Sequence, residues 1–123
     1  MPHPHLIILR TVATLLLSAV IAQAGFAAAG IARDQAYLGL HAIGAWVTLI
    51  LAVGCGVVYT ALRRTAGTLL VALAWAMAGL VTVQFTLGRL QIADVHIFTG
   101  VLTAMLATAL TSWTYRHPMP ATA

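Results

Sequence analysis

Four long stretches of apolar residues, separated by short polar joints, dominate the sequence. They cover residues 6–30, 36–62, 66–88 and 92–115 to within a few positions. A helix needs about 20 apolar residues to cross the hydrocarbon core of a bilayer, and each stretch is long enough. Because backbone polar groups in lipid must bond within their own segment, the pattern predicts four transmembrane helices.

The joints between these stretches are only a few residues long, at 31–35, 63–65 and 89–91. Short joints make consecutive helices antiparallel neighbours. The sequence therefore predicts one domain over residues 1–123, an all-α integral membrane bundle of four helices with up-down-up-down topology. The start of the chain resembles a signal peptide, with an apolar run that ends in the triplet 22–24, but the segment is about as long as a full span and is interpreted as helix one.

Composition supports lipid as the solvent of this fold. Only 7% of the residues are charged and 62% are hydrophobic, whereas soluble domains carry roughly 25% charged residues. The net charge of +4 is the balance of six scattered arginines and two aspartates. Scattered arginines are typical of topology signals, so the predicted partner is the lipid bilayer and not nucleic acid.

The arginines also predict the orientation of the bundle. Four of them fall at one end of the predicted spans: Arg10, Arg63, Arg64 and Arg116. The other end carries the remaining two arginines and the only acids: Arg33, Arg89, Asp34 and Asp94. Cytoplasmic loops carry the excess of positive residues. We therefore expect a multi-pass protein of the cell membrane with both termini in the cytoplasm.

His41 and His96 are the only histidines within the predicted spans. An ionisable residue at membrane depth is costly and by default marks function. Each histidine lies about one turn from the outer end of its helix, and helices two and four are diagonal in such a bundle. Both imidazoles are therefore expected to reach the bundle centre from opposite sides.

Two imidazoles that face each other across a bundle core are what an axially ligated haem iron requires. The pattern predicts one haem b per chain, with His41 and His96 as its metal ligands. A zinc or copper site is less favoured, because no third ligand occurs at this depth. The alternative without a metal is that each histidine reaches interfacial water or bonds a carbonyl group.

Small and basic residues near the two histidines complete the predicted cofactor site. The small ones follow each histidine by three and four positions and would leave room for a porphyrin: Gly44, Ala45, Thr99 and Gly100. Arg33 and Arg89 lie near the outer surface, where they would pair with haem propionates. Gln23 and Gln84 occupy matching late positions in helices one and three, where they would pack between helices or bond a cofactor edge.

Two short motifs resemble one half of haem A synthase. The segment 84–88, Gln-Phe-Thr-Leu-Gly, followed by His96, is similar to that family's end of span three and start of span four. The segment 40–44 around His41 is similar to the start of span two. The resemblance implies a four-helix bundle with a haem-binding histidine pair on spans two and four. Small cytochrome b561-like membrane cytochromes match comparably well.

The chain departs from the haem A synthase pattern where that family performs catalysis. Tyr37 stands four positions before His41, where the catalytic half has a glutamate, and the chain contains no glutamate. It also has a single cysteine, Cys55, and so lacks the cysteine pair found in the outer loop of many members. These departures weigh against oxidation of a haem methyl group and leave haem b binding as the expectation.

Three functions follow from these patterns. The first is a haem b-binding membrane cytochrome that transfers single electrons or carries haem near the outer face of the membrane. The second is a half-size haem A synthase-like enzyme that acts as a dimer, and the third is a cofactor-free accessory subunit of a respiratory complex. The first is preferred, with the chain acting as a homodimer or as a subunit of a larger respiratory complex.

Overall fold

The computed structural model describes residues 3–118, and four helices account for nearly all of them. In chain order they are α1 (Pro4–Ala32), α2 (Ala36–Ala61), α3 (Arg63–Arg89) and α4 (Ala93–Arg116). No strand occurs within residues 3–118. The all-α prediction is confirmed, and the predicted spans differ from the observed helices by three residues or fewer at each end.

All four helices are long and apolar enough to cross a membrane. Large apolar side chains cover their outward surfaces, among them Ile21, Ile50 and Met105, each at least 60% exposed. Such a surface is unfavourable in water and favourable in contact with lipid tails. The structure is compatible with a multi-pass membrane protein, while the membrane and the side on which each terminus lies stay predictions.

Each helix packs along its neighbours in the chain, and α4 packs back on α1. The early part of one helix contacts the late part of a neighbouring helix. Trp46 in the first half of α2 contacts Phe85 near the end of α3, and Arg10 near the start of α1 contacts Tyr115 near the end of α4. The backbones of the diagonal pair, α2 and α4, do not approach each other. These contacts are compatible with the predicted up-down-up-down topology, which stays a prediction.

The packed core occupies only one half of this bundle. We call the end with Arg63 and Arg64 the basic end, and the end with both acids the acidic end. The largest fully buried side chains lie in the half next to the basic end: Tyr59, Leu6, Leu9, Leu16, Met77, Leu110, Thr114 and Cys55. In the acidic half, at residues 21–47 and 82–102, Gly30 is the only buried residue. Apolar packing between helices therefore stabilises the basic half and leaves the interior of the acidic half thinly packed.

Tyr59 links three helices at the centre of the core. Its hydroxyl oxygen lies 2.6 Å from the Thr114 hydroxyl of α4 and 3.2 Å from the main-chain oxygen of Leu9 in α1. Thr114 donates its own proton to Leu110 O. Tyr59 therefore shares its single proton between Thr114 and Leu9, and joins α2 to both α4 and α1.

The connection between α2 and α3 differs from the prediction of a joint at residues 63–65. Only Leu62 separates the helices, and Arg63 begins a helical turn that breaks at Gly67, with φ 78° and ψ 163°. This region of backbone conformation is essentially restricted to glycine. Thr65, in the turn before the break, accepts a hydrogen bond from His117 Nε2 at its main-chain oxygen, 2.9 Å away. The break thus lets the turn lie against the end of α4.

Candidate functional site

His41 and His96 meet inside the acidic half of the bundle. His41 is the sixth residue of α2 and His96 the fourth residue of α4. Their ring centres are 6.1 Å apart and their ring planes are inclined by 85°. Both side chains are partly buried. Because α2 and α4 are diagonal, the two rings bridge the interior where the helix backbones themselves do not touch.

A main-chain carbonyl of the preceding helix holds each ring. His41 Nδ1 lies 3.0 Å from Gln23 O of α1, and His96 Nδ1 lies 3.0 Å from Gln84 O of α3. A carbonyl oxygen only accepts hydrogen bonds, so each Nδ1 carries the proton and donates it. In a neutral imidazole this tautomer places the free lone pair on Nε2. Metal-ligating histidines are commonly fixed in the same way, through the nitrogen that does not bind the metal.

The glutamine side chains occupy the space beside two of the predicted glycines. A Cβ atom at Gly44 would collide with Gln23 Nε2, and one at Gly100 would lie 2.7 Å from Gln84 Nε2. The small residues predicted to make room for a macrocycle thus make room for amides that belong to the same site. A mid-helix glutamine in lipid places its amide inward, because polar groups facing lipid tails are unfavourable.

The two halves of the site are alike but not identical. Gln84 Oε1 accepts a hydrogen bond from the Thr99 hydroxyl, 3.2 Å away. Gln23 Oε1 is buried and has no hydrogen-bond partner among residues 3–118. The residue three positions after His96 is Thr99, whereas the corresponding residue after His41 is Gly44, which has no hydroxyl to donate. The Gln23 amide is therefore the one unsatisfied acceptor beside the paired rings.

Three further predicted site residues, Ala45, Arg33 and Arg89, lie in the acidic half of the bundle. Ala45, four positions after His41, is partly buried on the same face of α2. Arg33 and Arg89 are exposed at the acidic end, where Arg33 caps the end of α1 and Arg89 is the last residue of α3. Within residues 3–118 neither arginine forms an ion pair with a carboxylate. Both guanidinium groups are free to meet an anionic group at this end.

The structure adds Gly88 to the site, a residue that was not among the site residues predicted from the sequence. A Cβ atom at Gly88 would lie 3.2 Å from His96 Cε1, closer than ordinary van der Waals contact. Glycine here lets the His96 ring approach α3. The signal was present in the sequence, because Gly88 follows Gln84 by four residues and therefore shares its helix face.

The distance between the ring centres matches two imidazoles that ligate one metal ion from opposite sides. A metal–imidazole bond is about 2.0 Å long and a ring nitrogen lies about 1 Å from the ring centre, so the two centres should be about 6 Å apart. The observed separation is 6.1 Å. Within residues 3–118 there is no group of three or more histidine, cysteine or acidic side chains that could hold a metal ion. The pair thus suits a metal whose other ligands come from a cofactor.

The site is therefore a pair of imidazoles, each fixed by a carbonyl group, inside a bundle of four helices of membrane-spanning length. The resemblance to haem A synthase rests on the short motifs around His41 and His96. Comparisons of this chain with family models, with curated proteins and with solved structures find no match.

Proposed function

We propose that this chain is a small b-type membrane cytochrome in which His41 and His96 are the axial ligands of one haem b. The observation that carries the proposal is the meeting of these two rings across the bundle, with centres 6.1 Å apart. His41 and His96 would hold the haem iron through their imidazole nitrogens, the ligand type that membrane cytochromes use. When bound, the haem supplies a one-electron couple between ferric and ferrous iron.

The hydrogen bonds of the two rings support this role. Gln23 O and Gln84 O hold the Nδ1 protons, so both Nε2 lone pairs are available to iron. A hydrogen bond at the distal nitrogen also fixes the ring orientation and makes the ligating nitrogen more basic. If each histidine served only to form a hydrogen bond with a carbonyl group, a second imidazole at this distance would not be required.

The uneven packing of the bundle supports the same reading. The acidic half contains no buried residue except Gly30, so a flat apolar ligand would replace little existing core. Cofactor sites in four-helix bundles are built between facing helices in this manner. Arg33 and Arg89 are exposed at the nearby end, where guanidinium groups can bind propionate carboxylates in a bidentate fashion.

The location and use of the cofactor follow from the predicted topology. If the basic end faces the cytoplasm, as the positive-inside rule predicts, the haem lies near the outer face of the membrane. One haem in one leaflet cannot carry electrons across a bilayer alone. We therefore propose one-electron transfer or haem carrying near the outer face, by a homodimer or by a subunit of a larger respiratory complex.

Absorption spectroscopy of the full chain, purified after expression with added haem precursor, tests the proposal. We expect a sharp Soret band, resolved visible bands on reduction, and one haem per chain. His41→Ala and His96→Ala should each abolish the low-spin spectrum. His5→Ala removes an imidazole at the basic end and should leave the spectrum unchanged. A colourless wild-type protein, or unchanged spectra in both site variants, would refute haem ligation and favour a cofactor-free accessory role.

The angle between the rings gives a sharper test. Because the ring planes are inclined by 85°, ferric haem should give the highly anisotropic low-spin EPR signal that is typical of perpendicular axial imidazoles. A rhombic signal of the kind given by parallel rings would contradict the observed arrangement. Extraction of the haem and mass analysis should recover unmodified haem b, and recovery of an oxidised methyl group would favour an enzyme instead.

A further inference from the structure

A second feature, unrelated to the histidine pair, lies at the basic end. A cavity of about 440 Å³ opens where α2 ends and α3 begins, beside the start of α1. His5, Arg63, Arg64 and Thr65 contribute polar groups to its lining. His5 Nδ1 lies 3.2 Å from the Thr65 hydroxyl, so the first turn of α1 is tied to the wall of the cavity.

Within the part of the chain that the structure describes, no acidic side chain lies near this cavity. Arg63 and Arg64 are exposed and adjacent, whereas both acids of the chain, Asp34 and Asp94, lie at the acidic end. Arg10, a further arginine of the basic half, is already engaged, since it donates to the main-chain oxygen of Tyr115 at 3.1 Å. Among residues 3–118, two guanidinium groups thus line the cavity with no carboxylate side chain at this end to pair with them.

The position of the cavity along the helices indicates which class of anion it would meet. Only Leu62 separates α2 from α3, and both helices are long and apolar enough to cross a membrane. Arg63 and Arg64 follow Leu62 directly, so they lie at the level where the two helices would leave the apolar layer. Lipid phosphate groups occupy this level of a bilayer. Arginine presents a planar set of donors that matches phosphate oxygens, and basic pockets between transmembrane helices bind anionic headgroups.

We propose that this cavity binds the phosphate headgroup of an anionic phospholipid, with Arg63 and Arg64 as the phosphate ligands. The acyl chains would lie along the exposed apolar surface of α2 and α3, as those of surrounding lipids do. The proposal is independent of haem binding. It predicts that the bound lipid is held at a local site and not merely attracted by the overall positive charge of this end.

Native mass spectrometry of the full chain in detergent, titrated with phosphatidylglycerol or phosphatidylcholine, tests the site. We expect one tightly bound phosphatidylglycerol and no comparable binding of phosphatidylcholine. Arg63→Gln and Arg64→Gln should each lower the affinity about tenfold, because each removes a charge-assisted hydrogen bond as well as a charge. Arg116→Gln removes the same charge at the same end beside a different cavity, and should lower it about fivefold or less, as expected for a general surface charge.

Two results would overturn the proposal. Equal losses in the Arg63, Arg64 and Arg116 variants would mean that only the overall field attracts the lipid. Equal thermal stabilisation of the protein by inorganic phosphate and by phosphatidylglycerol would mean that the cavity takes free phosphate and not a headgroup. Retained helical circular dichroism in each variant separates loss of the site from loss of the fold.

Discussion

Replacement of Tyr59 by phenylalanine is the sharpest test of how the basic half is held together. The substitution removes one hydroxyl and keeps the ring, so it opens almost no cavity in a position that is fully buried. The hydroxyl is 2.6 Å from Thr114 Oγ1 and 3.2 Å from Leu9 O. Thr114 keeps its bond to Leu110 O, so this side chain is not left unpaired.

The expected cost follows from the strength of hydrogen bonds between membrane helices. Such bonds average about 0.6 kcal/mol and reach about 1.7 kcal/mol. Because the Tyr59 proton serves two acceptors, we expect Tyr59→Phe to lower the free energy of unfolding by about 1 kcal/mol. Tyr115→Phe is the matched control: its hydroxyl lies 3.1 Å from Thr14 Oγ1 in an exposed position. We expect that control to cost less than about 0.5 kcal/mol.

Unfolding in mixed micelles with increasing SDS, followed by circular dichroism on haem-free protein, measures both variants. Adding Thr114→Val and the double variant completes a cycle that isolates the Tyr59–Thr114 interaction. A Tyr59→Phe variant as stable as the wild type would refute the reasoning. So would a Tyr115→Phe variant that loses as much stability, because the burial of Tyr59 would then have no bearing on the strength of its bond.

Two glycines give further predictions, with Gly79→Ala as a control for both, since a Cβ atom there meets nothing within 4 Å. Gly67→Ala should lower the free energy of unfolding by about 1–3 kcal/mol, because alanine is strained at φ 78°. Unfolding in SDS measures this loss, and a stability equal to that of the Gly79→Ala control would contradict the prediction. Gly88→Ala should press on the His96 ring and weaken haem binding by about fivefold or more, as overpacking of a filled contact does. The check is a titration of haem-free protein with haem, and equal affinities of the Gly88 and Gly79 variants would rule out that contact.

The paired histidines show how much of the candidate site could be predicted from the sequence. The polarity of His41 and His96 within apolar spans identified them as candidates, and the short joints predicted that their helices are diagonal. The roles of Gly44 and Gly100 could not be predicted from the sequence, because a glycine in a helix leaves space beside it but does not indicate which group occupies that space. The structure fills that space with the amides of Gln23 and Gln84. The partners of the Nδ1 atoms could not be predicted either, because every residue has a main-chain carbonyl group and the sequence does not indicate which one accepts the hydrogen bond.

The sequence by itself determined that there are four helices. In lipid, backbone groups must form hydrogen bonds within their own segment, and the length of each apolar segment can be seen directly in the sequence. From the sequence, Arg63 and Arg64 were interpreted as part of a polar joint at residues 63–65; in the structure they form a helical turn that is separated from the rest of α3 by the break at Gly67. Tertiary structure alone decided that one half of the bundle is packed and the other is not, and that the two imidazole rings lie with their centres 6.1 Å apart. Both depend on how far apart diagonal helices stand, and that separation is set by side chains on all four helices together.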